Sequence, residues 1–200
     1  MSDISWFVVF TLGLGAVFGT LEALVRTGRL GSENGRRISH VAACLYGIGI
    51  HAVLSVWWFV VVAGTFVVLM AVSKVLRILR SIHDTKRSTW GEVYMPLGLG
   101  LAAIVADTDQ RAFVVAAAIL GLADVAAGLV GDRQGSDGKT WGGTVAFALV
   151  ALVVLLAARS GIALSLVGAA FLAAVERISL RGLDNLTIPV VAAAMLVALE

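Results

Sequence analysis

Between residues 5 and 25 the chain carries one charged side chain, Glu22, and between residues 38 and 73 it carries none. Further apolar runs follow at about 93–106, 112–130, 143–158, 162–176 and from about 186 to the end, each separated from the next by a short polar segment. A helix of about 20 apolar residues crosses a bilayer with every backbone group satisfied internally. The stretch 38–73 is too long for one crossing. A break near residues 51–55, with Trp57 and Trp58 at the level of an interface, divides it into two. The pattern predicts an all-α, polytopic membrane protein: a bundle of seven to eight transmembrane helices forming a single domain over residues 1–200. Composition agrees, because 60% hydrophobic residues and a mean hydropathy of +0.98 exceed what a soluble domain of this length can bury. Several runs span only 14–16 residues, so half-buried or re-entrant helices stay open as an alternative.

Other features narrow the class. The net charge is +2 and the basic residues are scattered, so there is no dense basic face for a nucleic acid. The single cysteine, Cys44, has no partner for an internal disulfide and reads as a packed thiol. Ser2 and Asp3 precede the first apolar run without a basic segment, so that run reads as a retained span and not as a signal peptide. No internal repeat supports a duplicated transporter.

Charge asymmetry orients the eight-span arrangement. The segments 26–37, 74–92, 131–142 and 177–185 fall on one side and hold 13 of the 15 Lys and Arg residues; only Arg111 and Arg159 fall on the other. The positive-inside rule makes the basic side cytoplasmic and places both termini outside. Lys74, Arg77, Arg80, Lys86 and Arg87 read first as this topology signal and second as substrate contacts.

Within that frame, residues 124–143 stand out. Only 14% of the chain is charged, yet Asp132, Arg133, Asp137 and Lys139 crowd into eight positions there. Asp124 precedes Gly131 by seven residues, about 10 Å of helix rise into the apolar run. A carboxylate at that depth is costly unless paired or hydrated, so it is a candidate for holding a divalent cation or activating an alcohol; the alternative is a structural pair with an arginine or a polar group in the bundle. Gly121 and Gly128 would let another helix approach. Lys139 and Thr140 stand in a GKT sequence, but Arg133 occupies the place of the first P-loop glycine and no strand precedes it, so this is no P-loop. Trp141 reads equally as an interface anchor or as a surface for a nucleobase.

The helices that begin on the basic side all open on polar residues: Arg36, Arg37, Ser39 and His40; Thr89, Glu92 and Pro96; Lys139, Thr140 and Thr144; Asp184, Asn185, Thr187 and Pro189. Helix N-termini present free N–H groups and a partial positive charge, which favours phosphate. Both prolines are expected in first turns, where a missing N–H costs nothing. Asp184 and Asn185 also serve as ordinary N-caps. His40 shares a helix face with Arg36, as a phosphate ligand, a base, or a satisfied structural histidine. His51 and His83 carry no pattern, and Glu22 is placed to pair with Arg26.

Four segments, in order, carry a family resemblance: residues 33–40 (ENGRRISH), 124–135 (DVAAGLVGDRQG), 139–144 (KTWGGT) and 183–189 (LDNLTIP). The chain resembles the phytol kinase and dolichol kinase family of membrane-bound, CTP-using polyprenol kinases. The resemblance implies phosphoryl transfer from CTP to the hydroxyl of an isoprenoid alcohol drawn from the bilayer, with Mg²⁺ as cofactor. It implies that Arg36, Arg37, Arg133, Lys139 and Thr140 hold phosphates, that Asp124 and Asp184 hold Mg²⁺, that Asn185 orients a substrate, and that His40 or Asp124 takes the alcohol proton. The chain departs at Gly142, where the family usually has glutamate; a chain without that glutamate is either inactive or uses Asp124 and Asp184 instead, and the presence of the other motif positions favours the second. A CTP-dependent cytidylyltransferase and a small ion-coupled transporter are the rival classes. The first lacks its Lys-, Asp- and glycine-rich C-terminal signature here, and the second does not account for polar clusters confined to one side.

Overall fold

The structure, a computed structural model, describes residues 2–79, 82, 89–135 and 138–199. Arg80, His83, Lys86, Arg87 and Asp137 lie outside the described residues. Every regular element described is an α-helix: α1 (Asp3–Arg26), α2 (Ser32–His51), α3 (Val56–Leu76), α4 (Gly91–Ala106), α5 (Gln110–Arg133), α6 (Trp141–Ala157), α7 (Ile162–Ile178) and α8 (Asp184–Leu199). The all-α expectation holds, and the break near residues 51–55 falls where α2 gives way to α3. Three helices, α1, α3 and α5, are long and apolar enough to cross a membrane, which is compatible with a membrane protein; α4, α6 and α8 are shorter apolar helices.

Short polar signals set the helix limits. Ser2, Asp109 and Thr140 place side-chain oxygens on the free N–H groups that open α1, α5 and α6. Arg111 donates to the carbonyl of Ala158, closing the exposed end of α6. Helix α5 is the axis of the bundle: Phe113, Ala116, Ala117, Ile119, Leu120 and Ala123 are wholly buried on it. It packs against α2, α6 and α8, while α4 lies between α3 and α8, and α7 between α6 and α8. The core is built from small residues on α5 and α8 that let these helices approach closely. Outward faces are apolar instead of charged, with Val145, Leu149 and Val153 exposed along α6 and Val61, Val68 and Val72 along α3.

Two close approaches fix the end of the bundle where the polar residues gather. On α4, a side chain at Gly98 would run into the carbonyl oxygen of Asn185 and into Pro189, so only a bare Cα lets α4 and α8 meet there. Gly182, at φ +87°, lies in the left-handed region that favours glycine, and a Cβ on it would sit 2.6 Å from the backbone nitrogen of Gly91. The prolines correct the expectation from sequence. Pro96 and Pro189 are each the sixth residue of their helix, inside it and not in the first turn. Each therefore releases the carbonyl four residues back, on Glu92 and Asn185, from its usual helical bond. The freed Asn185 oxygen is the one that faces Gly98.

The expectations for Gly121 and Gly128 divide. Gly121 does admit α2, with Cys44 buried against it, whereas no atom lies within 4 Å of where a Cβ on Gly128 would stand. Gly128 borders a cavity instead.

Candidate functional site

The openings of α2, α4, α6 and α8 and the ends of α5 and α7 converge at one end of the bundle around a polar cavity of about 1570 Å³, its mouth included. Its wall holds five carboxylates, Glu33, Asp124, Asp132, Glu176 and Asp184, and four cations, Arg36, Arg37, Lys139 and Arg181, with His40 beside them.

Lys139 is the centre of this cavity. It reaches back from the turn before α6 and donates to the carboxylates of Asp184 at 2.6 Å and Glu176 at 2.5 Å, and to the Glu176 carbonyl at 2.5 Å. Burial pulls its pKa down, but Asp184 and Glu176 more than offset this, and the net displacement is upward from the ordinary value of 10.5. Its charge and the stability it lends are therefore fully present at neutral pH and are lost only as pH rises through that elevated value.

Asp124 sits one layer deeper. Its carboxylate lies 3.8 Å from Nε2 of His40 and feels the charges of Asp184, Lys139 and Arg36. Nε2 of His40 also donates to the carbonyl of Leu120 at 3.1 Å; a carbonyl only accepts, so Nε2 carries the hydrogen and Nδ1 is left as the nitrogen able to take a proton.

The remaining residues singled out in the sequence have distinct placements. Arg37 is half-buried against Asp132 and also donates to Asn34, so it ties α2 to the end of α5. Arg36, one position earlier, pairs with Glu33 at 3.4 Å and stays partly exposed in the cavity. The Nε atoms of both arginines are buried without a hydrogen-bond partner. Thr140 lines the cavity while its hydroxyl oxygen accepts from Gly143 N–H at 3.0 Å as the cap of α6. Asp184 is largely satisfied: one oxygen holds Lys139, and the other accepts from Asn185 N–H at 3.0 Å. Asn185 is buried with its side-chain oxygen unpaired. Arg133 is exposed and is not part of the wall. Trp141 stands outside as well, 73% exposed with the Arg177 guanidinium 4.6 Å over its ring. Glu22 does pair with Arg26, at 2.6 Å.

Sequence reasoning missed Glu176. It closes the apolar run 162–176 and reads there as the last residue of a span, yet it is buried, bonded to Lys139, and has its second carboxylate oxygen unpaired. The available signal was an acid within an apolar run, the same signal that singled out Asp124. Gly142 is not in the cavity wall; the space beside it is filled by the Gln134 side chain.

A second cavity meets the first. It holds about 970 Å³ including its mouth, and runs inward between α1, α2, α3 and α4 along Leu14, Phe18, Ala43, Val62, Phe66 and Met70. The two share Arg36, His40, Thr89 and Asn185. Lys74 stands at the mouth of the apolar cavity, bonded to Glu92 and to the carbonyl of Thr89.

Among the described residues, no group of three or more His, Cys, Asp and Glu is arranged as a ready-made metal site. Mg²⁺ does not require one, since it is usually held by one or two carboxylates together with water and substrate phosphates. Asp124, with oxygen donors and no cation in direct contact closer than His40, fits that use better than Asp184. No family model, curated protein or solved structure matches the chain.

Proposed function

We propose that the chain is a membrane-embedded kinase that transfers a phosphoryl group from CTP, or another nucleoside triphosphate, to the hydroxyl of an isoprenoid alcohol. The observation that carries this reading is the meeting of an apolar cavity with a charged one across Arg36, His40, Thr89 and Asn185. A molecule with a long apolar tail and a single hydroxyl fits that junction, and a polyphosphate fits the charged side. The proposal extends to topology: all eight helices cross or dip into the bilayer, the charged cavity opens to the cytoplasm, and both termini lie outside. Exposed apolar rows on α3 and α6 support it, as does the four-segment resemblance to phytol and dolichol kinases.

In this reading the nucleotide phosphates lie against Arg36, Lys139 and the opening turn of α6. Asp124 and Asp184 would hold a Mg²⁺ ion brought with the nucleotide, which would supply charge neutralisation at the transferring phosphate. The alcohol hydroxyl sits at the junction, where Nδ1 of His40 or the Asp124 carboxylate takes its proton. The alcohol oxygen then bonds to the γ-phosphorus as the bond to the β–γ bridging oxygen breaks, releasing the nucleoside diphosphate. Positioning and electrostatics carry most of such a reaction.

The test is direct. Purified protein is incubated with γ-labelled CTP, Mg²⁺ and a panel of prenols, and label is sought in the lipid fraction. Label released as pyrophosphate would instead show cytidylyl transfer. Absence of nucleotide turnover, with gradient-driven flux in sealed vesicles, would show a transporter.

A further inference from the structure

The apolar cavity has an end, and its position carries information. Helix α2 lines the cavity with His40, Ala43, Gly47 and Ile50, one face stepping inward from the polar junction. Gly47 lies about 10 Å below His40 and Ile50 about 15 Å below it, at 1.5 Å of rise per residue. At that depth Leu99 of α4 and Phe59 of α3 are the groups nearest a Cβ placed on Gly47, at 3.4 and 4.0 Å. Behind them the packing is closed. The ring of Phe59 meets that of Phe113 edge-on at 5.1 Å, and His51 stacks on Phe113 at 4.0 Å. Phe113 is wholly buried and Phe59 only 3% exposed. A close-packed aromatic floor of this kind does not yield to an extra methylene without cost.

We infer that Phe59 and Leu99, with Ile50 one turn below Gly47, form the floor of a tail-length gauge, so that the site takes a single-chain alcohol of limited length. The inference rests on the alcohol-binding reading of the junction. From the Asp124 carboxylate to the floor is about 15–20 Å, and an extended hydrocarbon advances about 1.25 Å per carbon, so the accepted main chain is about 12–16 carbons, or about three to four isoprene units. Tails of dolichol length exceed the cavity several times over. Gly47 is the position at which the gauge is read, because it is the wall residue of α2 whose side chain would grow directly toward the floor.

The experiment uses the whole protein in lipid nanodiscs and a graded series of prenols from geraniol to dolichol. Two readouts run in parallel: nucleotide-dependent phosphorylation, and displacement of a fluorescent alcohol whose tail is short enough for the cavity, with no nucleotide present. Both are expected to fall by about tenfold or more once the tail exceeds about four isoprene units. Gly47→Leu is expected to shift this limit shorter by about one unit, and Phe59→Leu to shift it longer by a similar step. If Gly47→Leu does not fold, Phe59→Leu, which removes atoms from the floor, carries the test with the opposite sign. Binding that is equal at every length, or a limit that neither folded variant moves, overturns the gauge even where phosphorylation is seen. Graded binding that shifts with Gly47 or Phe59, without phosphorylation of any alcohol, supports the gauge and removes the kinase reading.

Discussion

Two lysines stand at the two cavities, and their surroundings differ in how many carboxylates each one holds. Lys74, at the end of α3, meets the Glu92 carboxylate and the Thr89 carbonyl, and lies 5.4 Å over the Trp90 ring. Among the described residues one cation stands here against one carboxylate, and the arrangement ties α3 to the start of α4. Lys139 meets two carboxylates, Glu176 and Asp184, with Asp124 close enough to act on Glu176 electrostatically. By direct contact one ammonium faces two carboxylates, which leaves an excess of negative charge around Lys139 itself, within a wall that also holds Asp124, Arg36 and Arg181. A divalent cation arriving with a nucleotide would relieve that excess, whereas nothing at Lys74 calls for one.

Substitutions should break or sharpen this contrast. The largest effect is expected at Asp124→Asn, which preserves shape and removes the charge: phosphorylation of the alcohol should fall by about 10²–10⁴-fold, while tail binding measured without nucleotide stays unchanged. Lys139→Ala should abolish most activity too, and should also lower the thermal midpoint, since losing one partner of a buried ion pair costs about 3–5 kcal/mol. Differential scanning fluorimetry beside the labelled-CTP assay separates those two losses. On the apolar side, Val62→Phe should raise the KM for the alcohol by about tenfold and leave the KM for the nucleotide unmoved. Lys74→Gln should cost less, about three- to tenfold in activity, because a latch and not a reacting group is removed. Arg133→Ala, outside both cavities, should change activity by no more than about twofold. A large loss there would mean that the exposed end of α5 folds over the nucleotide.

The course of the helices was legible because each apolar run ends in glycine or charge, and lipid-like composition leaves few other folds. Their convergence was partly legible, since four helix openings share polar residues and one side of the charge partition. Division of labour within each cluster was not. Arg36 and Arg37 look alike in sequence and both reach the cavity wall, yet adjacent positions on a helix point about 100° apart, so Arg36 pairs with Glu33 while Arg37 locks onto Asp132. Glu176 escaped notice because its role depends on Lys139, 37 positions earlier in the chain. The prolines misled for a local reason: the true helix starts, at Gly91 and Asp184, lie before the first strongly apolar residues, which pushes Pro96 and Pro189 a turn inward.

The bare Cα of Gly98 against the Asn185 carbonyl and Pro189 has a mechanical consequence. It welds α4 to α8, so Glu92 and Asn185, the polar openings on either side of the junction, move as one body. That side of the threshold is a fixed jamb. A hydrophobic guest of the kind proposed would then meet a looser wall on the opposite side, where α1 and α2 face α3 across the apolar cavity with few contacts between them among the described residues. The rate at which those helices part, and not the chemistry at Lys139, would then set how quickly one guest replaces another.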